Sequence, residues 1–177
     1  MAVRTQAREL TIAQAASDAD ISAARELFIE YANSLGFSLC FQGFDQELAS
    51  LPGKYAPPAG RLLLALVNGQ VAGCGCLRPL AGADVSGQHV GETALCEMKR
   101  LYVRRAFRGM GIGRKLALAL MDEARQIGYA KMRLDTVADV MAEAVALYRV
   151  LGFYEIAPYI TNPQPSTLYM EFDLANR

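Results

Sequence analysis

Three glycines, Gly109, Gly111 and Gly113, alternate within Arg108-Gly-Met-Gly-Ile-Gly-Arg114, where a strand-like apolar run gives way to helical spacing. A glycine loop that opens a helix aims several backbone N–H groups in one direction, at the positive end of the helix dipole. Such a nest binds phosphate, and neighbouring cations strengthen it. Residues 99–115 hold 7 of the chain's 18 Lys and Arg residues and no acid. The remainder carries 11 basic residues against 18 acidic ones, a balance of −7. A compact anion site fits this distribution. A nucleic-acid binder, whose positive charge spreads over a wider face, does not. The chemistry implied is recognition of a phosphorylated small molecule.

Two common phosphate loops are disfavoured by the spacing. A P-loop needs Gly-Lys-Ser/Thr four residues after its first glycine, and from Gly109 that triplet is Arg114-Lys115-Leu116, without the glycine or the hydroxyl that would hold magnesium. A dinucleotide fingerprint needs a third glycine where this chain has Arg114, a side chain that obstructs close packing of helix on strand. Asp135, 22 residues beyond Gly113, does stand where such a fold places its ribose-binding acid, so a dinucleotide enzyme stays open as a rival.

These residues need elements to position them. At 177 residues, with 53% hydrophobic and 20% charged residues, the chain has enough apolar material for one domain spanning 1–177. Glu9–Gln14 reads as a strand. Ser17 caps a helix whose apolar face is Ile21, Ala24, Phe28, Tyr31 and Leu35, with Gly36 as its stop, and Asp45–Leu51 reads as a second, short helix. Arg61–Val67 and Val71–Leu77 are strands joined at Asn68-Gly69, a hairpin signal. Ala81–Glu92 reads as a loop and Thr93–Val103 as the next strand. Ile112, Leu116, Leu120 and Ala124 make a helical stripe closed by Gly128. Lys131–Asp135 is a strand, Asp139 is placed to cap a helix ending at Gly152, and Phe153–Ile156 and Leu168–Leu174 are the last strands. This order implies a mixed α/β sheet with antiparallel meanders first and a parallel crossover at its centre.

The N-terminus lacks the apolar core of a signal peptide, and no apolar run approaches the roughly 18 residues of a membrane span. Cys40, Cys74, Cys76 and Cys96 sit in apolar surroundings, and with a single His in the chain they make a poor metal set. Reduced core thiols in a cytoplasmic protein are the expectation, with no metal and no membrane or nucleic-acid partner.

The run Arg108-Gly-Met-Gly-Ile-Gly113, after a strand and opening a helix, resembles the pyrophosphate-binding loop of the GNAT-family acetyltransferases. Glu97-Met-Lys-Arg-Leu-Tyr-Val103 is similar to that family's central strand, Leu134-Asp-Thr136 to the end of the following strand, and Ala144-x-x-Leu-Tyr148-x-x-x-Gly152-Phe153 to its next helix and exit. The resemblance extends, more weakly, over residues 10–174. It implies a mostly antiparallel central sheet with one splayed parallel pair and flanking helices.

The same resemblance implies acetyl-CoA as acyl donor, its pyrophosphate on the N–H groups of Gly109, Met110, Gly111, Ile112, Gly113 and Arg114, with Arg108 and Arg114 adding charge. The pantetheine arm would add along the backbone of Leu101, Tyr102 and Val103, and one N–H there could polarise the thioester carbonyl. Tyr148 is the implied general acid for the departing thiolate, a transfer uphill by roughly 2 kcal/mol from a phenol near 10 to a thiol near 8.5. Glu97, between Cys96 and Met98, is the candidate general base. Its structural alternative is a buried ion pair with Lys99 or Arg100. Alternation puts Glu97 and Lys99 on one face, unless a bulge of the kind common in this family alters the facing. Many GNATs carry asparagine where this chain has Met141, which removes one cofactor contact.

Acceptor specificity would lie in Tyr31–Tyr55, with Phe37, Phe41, Phe44 and Tyr55, and in Tyr159–Thr167. No residue stands out as a covalent nucleophile, so the expected reaction is direct transfer in a ternary complex to a small-molecule amine or amino acid. A protein N-terminus or lysine is the other acceptor class, and a non-catalytic acetyl-CoA-binding module is the alternative without chemistry. A homodimer is left open.

Overall fold

The computed structural model describes residues 8–80 and 95–175. The chain runs β1 (Leu10–Gln14), α1 (Asp18–Ser34), α2 (Phe44–Ala49), β2 (Arg61–Val67), β3 (Gln70–Pro79), β4 (Leu95–Val103), α3 (Ile112–Ile127), β5 (Lys131–Val137), α4 (Ala142–Leu151), β6 (Tyr154–Ile156) and β7 (Thr167–Asp173). Short 3₁₀ turns at Cys40–Gln42, Gly53–Tyr55 and Arg105–Phe107 fill the connections. The loop expected over 81–92 lies outside the described residues.

Local chemistry accounts for most boundaries. Ser17 and Asp20 form a reciprocal capping box at α1, Ser17 Oγ accepting from Asp20 N at 3.1 Å and Asp20 Oδ2 accepting from Ser17 N at 2.9 Å. Asn68 and Gly69, both at positive φ, make the β2–β3 hairpin turn. Gly128 and Gly152, in the left-handed region, end α3 and α4. Asp139 does not cap α4: the N-cap is Met141, which makes no side-chain cap hydrogen bond. The main-chain N–H of Met141 bonds to Val137 O at 2.9 Å, so a turn leads straight from β5 into the helix.

The seven strands form one sheet in the order β1-β2-β3-β4-β5-β7-β6, and every neighbouring pair is antiparallel except β4–β5. α3 is the crossover between the two parallel strands. Their pairing covers Leu95–Glu97 against Lys131–Arg133 and then stops. Beyond Glu97 the two strands diverge, while β4 stays paired with β3 on its other side. The expected splayed parallel pair therefore sits at the centre of the sheet.

Each face has its own core. Leu116, Leu120, Met121 and Ala124 of α3 pack on Leu63, Ala65, Met98, Met132, Leu134 and Met170, joined by Tyr148 and Phe153. On the opposite face Ala24, Leu27 and Phe28 of α1 pack on Leu62, Leu64, Cys74 and Cys76. Cys74, Cys76 and Cys96 are buried thiols, as expected, and burial pushes the Cys74 thiol up to about 12. Cys40 departs from the expectation: it is exposed, with Ser38 Oγ 2.8 Å from its sulfur. Among the described residues no group of His, Cys, Asp and Glu could hold a metal ion, and no helix is long and apolar enough to cross a membrane.

Candidate active site

The glycine loop and the splayed strand build one groove. Gly109 and Gly111 hold φ of 77° and 72°, a region glycine enters without steric cost. Gly111 is the N-cap of the 16-residue helix α3 and offers no side-chain acceptor, so the N–H groups of its first turn stay free of any side-chain cap. A groove of about 660 Å³ starts at Arg108, Gly109, Gly111, Ile112, Gly113 and Arg114. It follows Leu101, Tyr102 and Val103 and continues past Ala144 and Leu147 to Tyr31, Leu35 and Met141. The edge of β4 that faces this groove is the one β5 has left.

The residues present fit acetyl-CoA on two independent points: an uncapped helix N-terminus for an anion, and an unpaired strand edge for an amide-rich arm. Nine of the ten residues expected to contact the cofactor line the groove. Met110 does not: its side chain packs against the α3 core, and its sulfur lies 3.5 Å from Arg8 NH1. Arg108 folds back to donate from Nε to Val103 O at 3.1 Å, tying the loop to the strand that it follows.

A bulge in β4 decides what lies at the inner end. Cys74 pairs with Tyr102 but Cys76 with Lys99, so Arg100 and Leu101 together oppose Gly75. Arg100 takes φ 55°, which resets the strand's alternation. Lys99 and Arg100, adjacent in sequence, consequently both reach the α1 side. Arg100 forks onto Glu47, with NH2 2.5 Å from Oε2 and Nε 3.1 Å from Oε1, and lies 5.3 Å from the Phe44 ring centre. The bulge falls beyond Lys99 and leaves the facing of Glu97 and Lys99 unaltered.

A second, smaller cavity of about 30 Å³ adjoins the groove through the shared residues Tyr31, Leu35, Leu101 and Met141. Tyr148, Asp135, Lys99, Arg100, Gln42 and Asn162 are among its walls. It lies where the splay of β4 and β5 opens the sheet, so Tyr148 from the α3 face and Asp135 from the α1 face line one space. The Tyr148 ring is buried, and its hydroxyl, which makes no hydrogen bond among the described residues, is not sealed off but borders the cavity. Burial pushes its phenol well above the usual range, with Tyr31 and Asp135 adding to the rise.

Asp135 is the carboxylate in this cavity. Oδ1 accepts from Lys99 Nζ at 2.9 Å, and Oδ2 accepts from Asn162 Nδ2 at 2.9 Å and Gln42 Nε2 at 3.4 Å. Although burial opposes it, the attraction of Lys99 and these hydrogen bonds hold Asp135 below the usual carboxylate range. In the sequence Asp135 stood out as a possible ribose-binding acid and as part of the strand end Leu134-Asp-Thr136, not as a base, since its pairing partners come from three distant segments.

Glu97 is placed differently from the expectation of a base facing substrate. It is fully buried and does not line the cavity. Arg78 Nε donates to Oε2 at 2.9 Å, Tyr159 OH donates to Oε1 at 2.9 Å, and Lys99 Nζ lies 3.6 Å from Oε1. Glu97 also belongs to a straight cross-strand row: Arg78 pairs with Glu97, Glu97 with Arg133, Arg133 with Glu171 and Glu171 with Tyr154. Arg133 Nε and Tyr154 OH donate to Glu171 at 2.8 and 2.6 Å. Opposite charges thus alternate across the sheet.

Of the aromatic residues expected around an acceptor, Phe37 lines the cavity. Tyr55 is buried and donates to Glu47 Oε1 at 2.5 Å, whereas Phe41 is exposed.

Comparison with known proteins agrees with this architecture. Residues 23–153 match the model of the acetyltransferase (GNAT) family. A protein of Schizosaccharomyces pombe, named only as an uncharacterized N-acetyltransferase, is 36% identical over 157 residues, 88% of this chain and 90% of that one. The structure of yncA, an acetyltransferase from Salmonella typhimurium with its cofactor acetyl-CoA, superposes with a TM-score of 0.69 at 24% identity over 95% of each chain. A GNAT acetyltransferase from Staphylococcus aureus superposes with a TM-score of 0.72 at 17% identity, over 94% of this chain and 99% of its own. With its glycine loop, splayed central pair and continuous groove, the chain belongs to the GNAT family of acetyl-CoA-dependent acetyltransferases.

Proposed function

We propose that this acetyltransferase transfers the acetyl group directly to the amine of a small molecule, with both substrates bound together. The observation that carries the reading is the adjacency of the two spaces: Tyr31, Leu35, Leu101 and Met141 line both the cofactor groove and the cavity that holds Tyr148 and Asp135. This cavity has polar walls and a volume of only about 30 Å³, which admits the reacting amine and little more and so favours a small acceptor.

Acetyl-CoA supplies a thioester whose C–S bond breaks as the acceptor nitrogen forms its bond to the carbonyl carbon. In this reading the first-turn N–H groups of α3, with Arg114, hold the pyrophosphate, and the edge of Leu101–Val103 that β5 has left, where Arg108 occupies Val103 O, holds the amide arm. Tyr148 gives its proton to the departing sulfur. Burial raises the phenol, but it raises a thiolate formed in the same cavity too, so the gap between them does not widen in proportion. The acceptor sheds its ammonium proton to solvent before attack. On attack its nitrogen becomes cationic and far more acidic, and Asp135 then takes the second proton. Glu97 serves as counter-ion to Arg78 and Lys99, holding Lys99 against Asp135.

The test is release of free CoA from acetyl-CoA across a panel of small amines and peptides, with Tyr148→Phe as control. Turnover of small amines that falls with Tyr148→Phe supports the proposal. Turnover of peptides alone transfers the activity to a protein acceptor. Binding of acetyl-CoA without turnover of any amine favours a non-catalytic binding module.

A further inference from the structure

A third cavity, of about 260 Å³, lies beyond Gln42 on the side away from the cofactor groove. It is lined by Gln42, Gln46, Glu47, Lys54, Tyr55 and Arg78, with small residues between them. Gln42 is common to this cavity and to the one that holds Tyr148 and Asp135. Its amide is the partition: Oε1 accepts from Arg100 NH1 at 2.9 Å, while Nε2 reaches Asp135 Oδ2 only at 3.4 Å. The contact to Asp135 is the longest that carboxylate makes and the easiest to give up.

The cavity contains three charged groups, and they are not equally committed. Glu47 is fully used, accepting from Tyr55 OH at 2.5 Å and from Arg100 Nε and NH2 at 3.1 and 2.5 Å. Arg78 is satisfied along one side only: Nε and NH2 both address Glu97 Oε2, at 2.9 and 2.8 Å, and NH1 has no partner among the described residues. Its side chain keeps 25% of its surface exposed. Lys54 is exposed and has no ion pair among the described residues. Among the described residues, the charged groups of this space that keep unused hydrogen-bonding capacity are therefore cations, and one is an arginine whose other side is fixed on a buried carboxylate. An arginine so oriented presents a planar fork suited to a carboxylate.

Building on the acetyltransferase reading above, we infer that the acceptor is an amine that also carries a carboxylate, of amino-acid type. Its carboxylate sits against Arg78, with Lys54 adding charge at the mouth. Its amine passes Gln42, replaces that amide at Asp135, and reaches the thioester beside Tyr148. The volume lies just below the about 300–1,000 Å³ of drug-sized pockets, which suits a molecule of that size.

The experiment measures acetyl-CoA-dependent CoA release by the full chain for α- and ω-amino acids, each paired with its carboxamide. The carboxamides of α-amino acids have the less basic amines and would react faster in an indifferent site, so preference for the acid is a demanding outcome. We expect the acids to show about 10- to 100-fold higher kcat/KM, the range of one charge-assisted contact. Arg78→Gln should erase that preference by raising KM. Lys54→Ala, an exposed change with no ion pair to lose among the described residues, should reduce it by a smaller factor. Both variants should keep the thermal shift given by CoA, which shows the fold and cofactor groove intact.

Carboxamides used as well as the acids, with Arg78→Gln neutral, would overturn the carboxylate proposal and leave a small-amine acetyltransferase. Turnover of peptides alone would overturn both. If no acceptor turns over, titration of the acids against the carboxamides in the presence of CoA decides: equal stabilisation by the two sets overturns the inference, and acid-selective stabilisation lost in Arg78→Gln supports it.

Discussion

Arg78 Nε donates to Glu97 Oε2 at 2.9 Å across the β3–β4 pair, and the carboxylate of the central strand so held does not line the cavity of Tyr148 and Asp135. Glu97 was the acid that the sequence offered for proton transfer. With Tyr159 on its other oxygen and Lys99 at 3.6 Å, it acts as the charge that holds two cations in place.

The two carboxylates should therefore separate in mutagenesis. Glu97→Gln leaves Arg78 and Lys99 short of a buried counter-ion and should lower the unfolding free energy by about 3 kcal/mol. Its folded fraction should keep kcat within about tenfold of the parent. Asp135→Asn should lower kcat by about 10²-fold, the usual scale for a proton-transfer group. Denaturant unfolding alongside steady-state kinetics measures both, and the opposite ranking would return the base role to Glu97.

Tyr148→Phe should reduce kcat by about 10²-fold while leaving the KM for acetyl-CoA unchanged. The hydroxyl has no hydrogen-bond partner among the described residues, so its removal leaves no buried group unsatisfied and should not lower the melting temperature. A pH–rate profile adds a second check. The raised phenol stays protonated through the neutral and mildly alkaline range, so activity should rise with pH as the acceptor amine loses its proton, with no Tyr148-dependent fall there.

Gly111→Val tests the loop. At φ 72° a β-branched residue is strained by about 1–2 kcal/mol. Nothing lies within 4 Å of a Cβ built there, so the strain comes from the backbone and not from a clash. Relieving it must turn the N–H groups at the start of α3 away from the groove. The thermal shift produced by CoA should shrink markedly, while a control substitution at exposed Val150 should leave it alone.

Acid should unfold the protein through the carboxylates held by the polar network. Glu47 is held below its ordinary 4.5 by Arg100 and Tyr55 against the cost of burial, and Asp135 below its ordinary 3.8 by Lys99 and Asn162. Groups with lowered folded values stabilise fully above their unfolded values and lose that contribution as pH falls through the folded ones. Stability from these two groups should be flat from neutral pH down to about 5 and then fall below about 4.5. Glu47→Gln should flatten the acid limb, and denaturant midpoints between neutral pH and pH 3 would read the difference.

The sequence alone determined the elements whose signals are local. The capping box at Ser17–Asp20, the turn at Asn68-Gly69, the alternating glycines and the stops at Gly128 and Gly152 depend on residues within one turn of each other, so the backbone had few alternatives. That was enough for the groove, because its phosphate end is a loop and a helix start and its other end is a strand edge. Tertiary structure decided which charges meet. The β4 bulge turns Arg100 to the side of Lys99, and the short β4–β5 pairing brings Asp135 and Tyr148 to one cavity from opposite faces. Arg78 and Tyr159 reach Glu97, and Asn162 and Gln42 reach Asp135, from segments far apart in the chain, and no spacing along a sequence encodes such encounters. Backbone geometry made the groove legible; the pairing of side chains across the sheet made the polar cavity beside it.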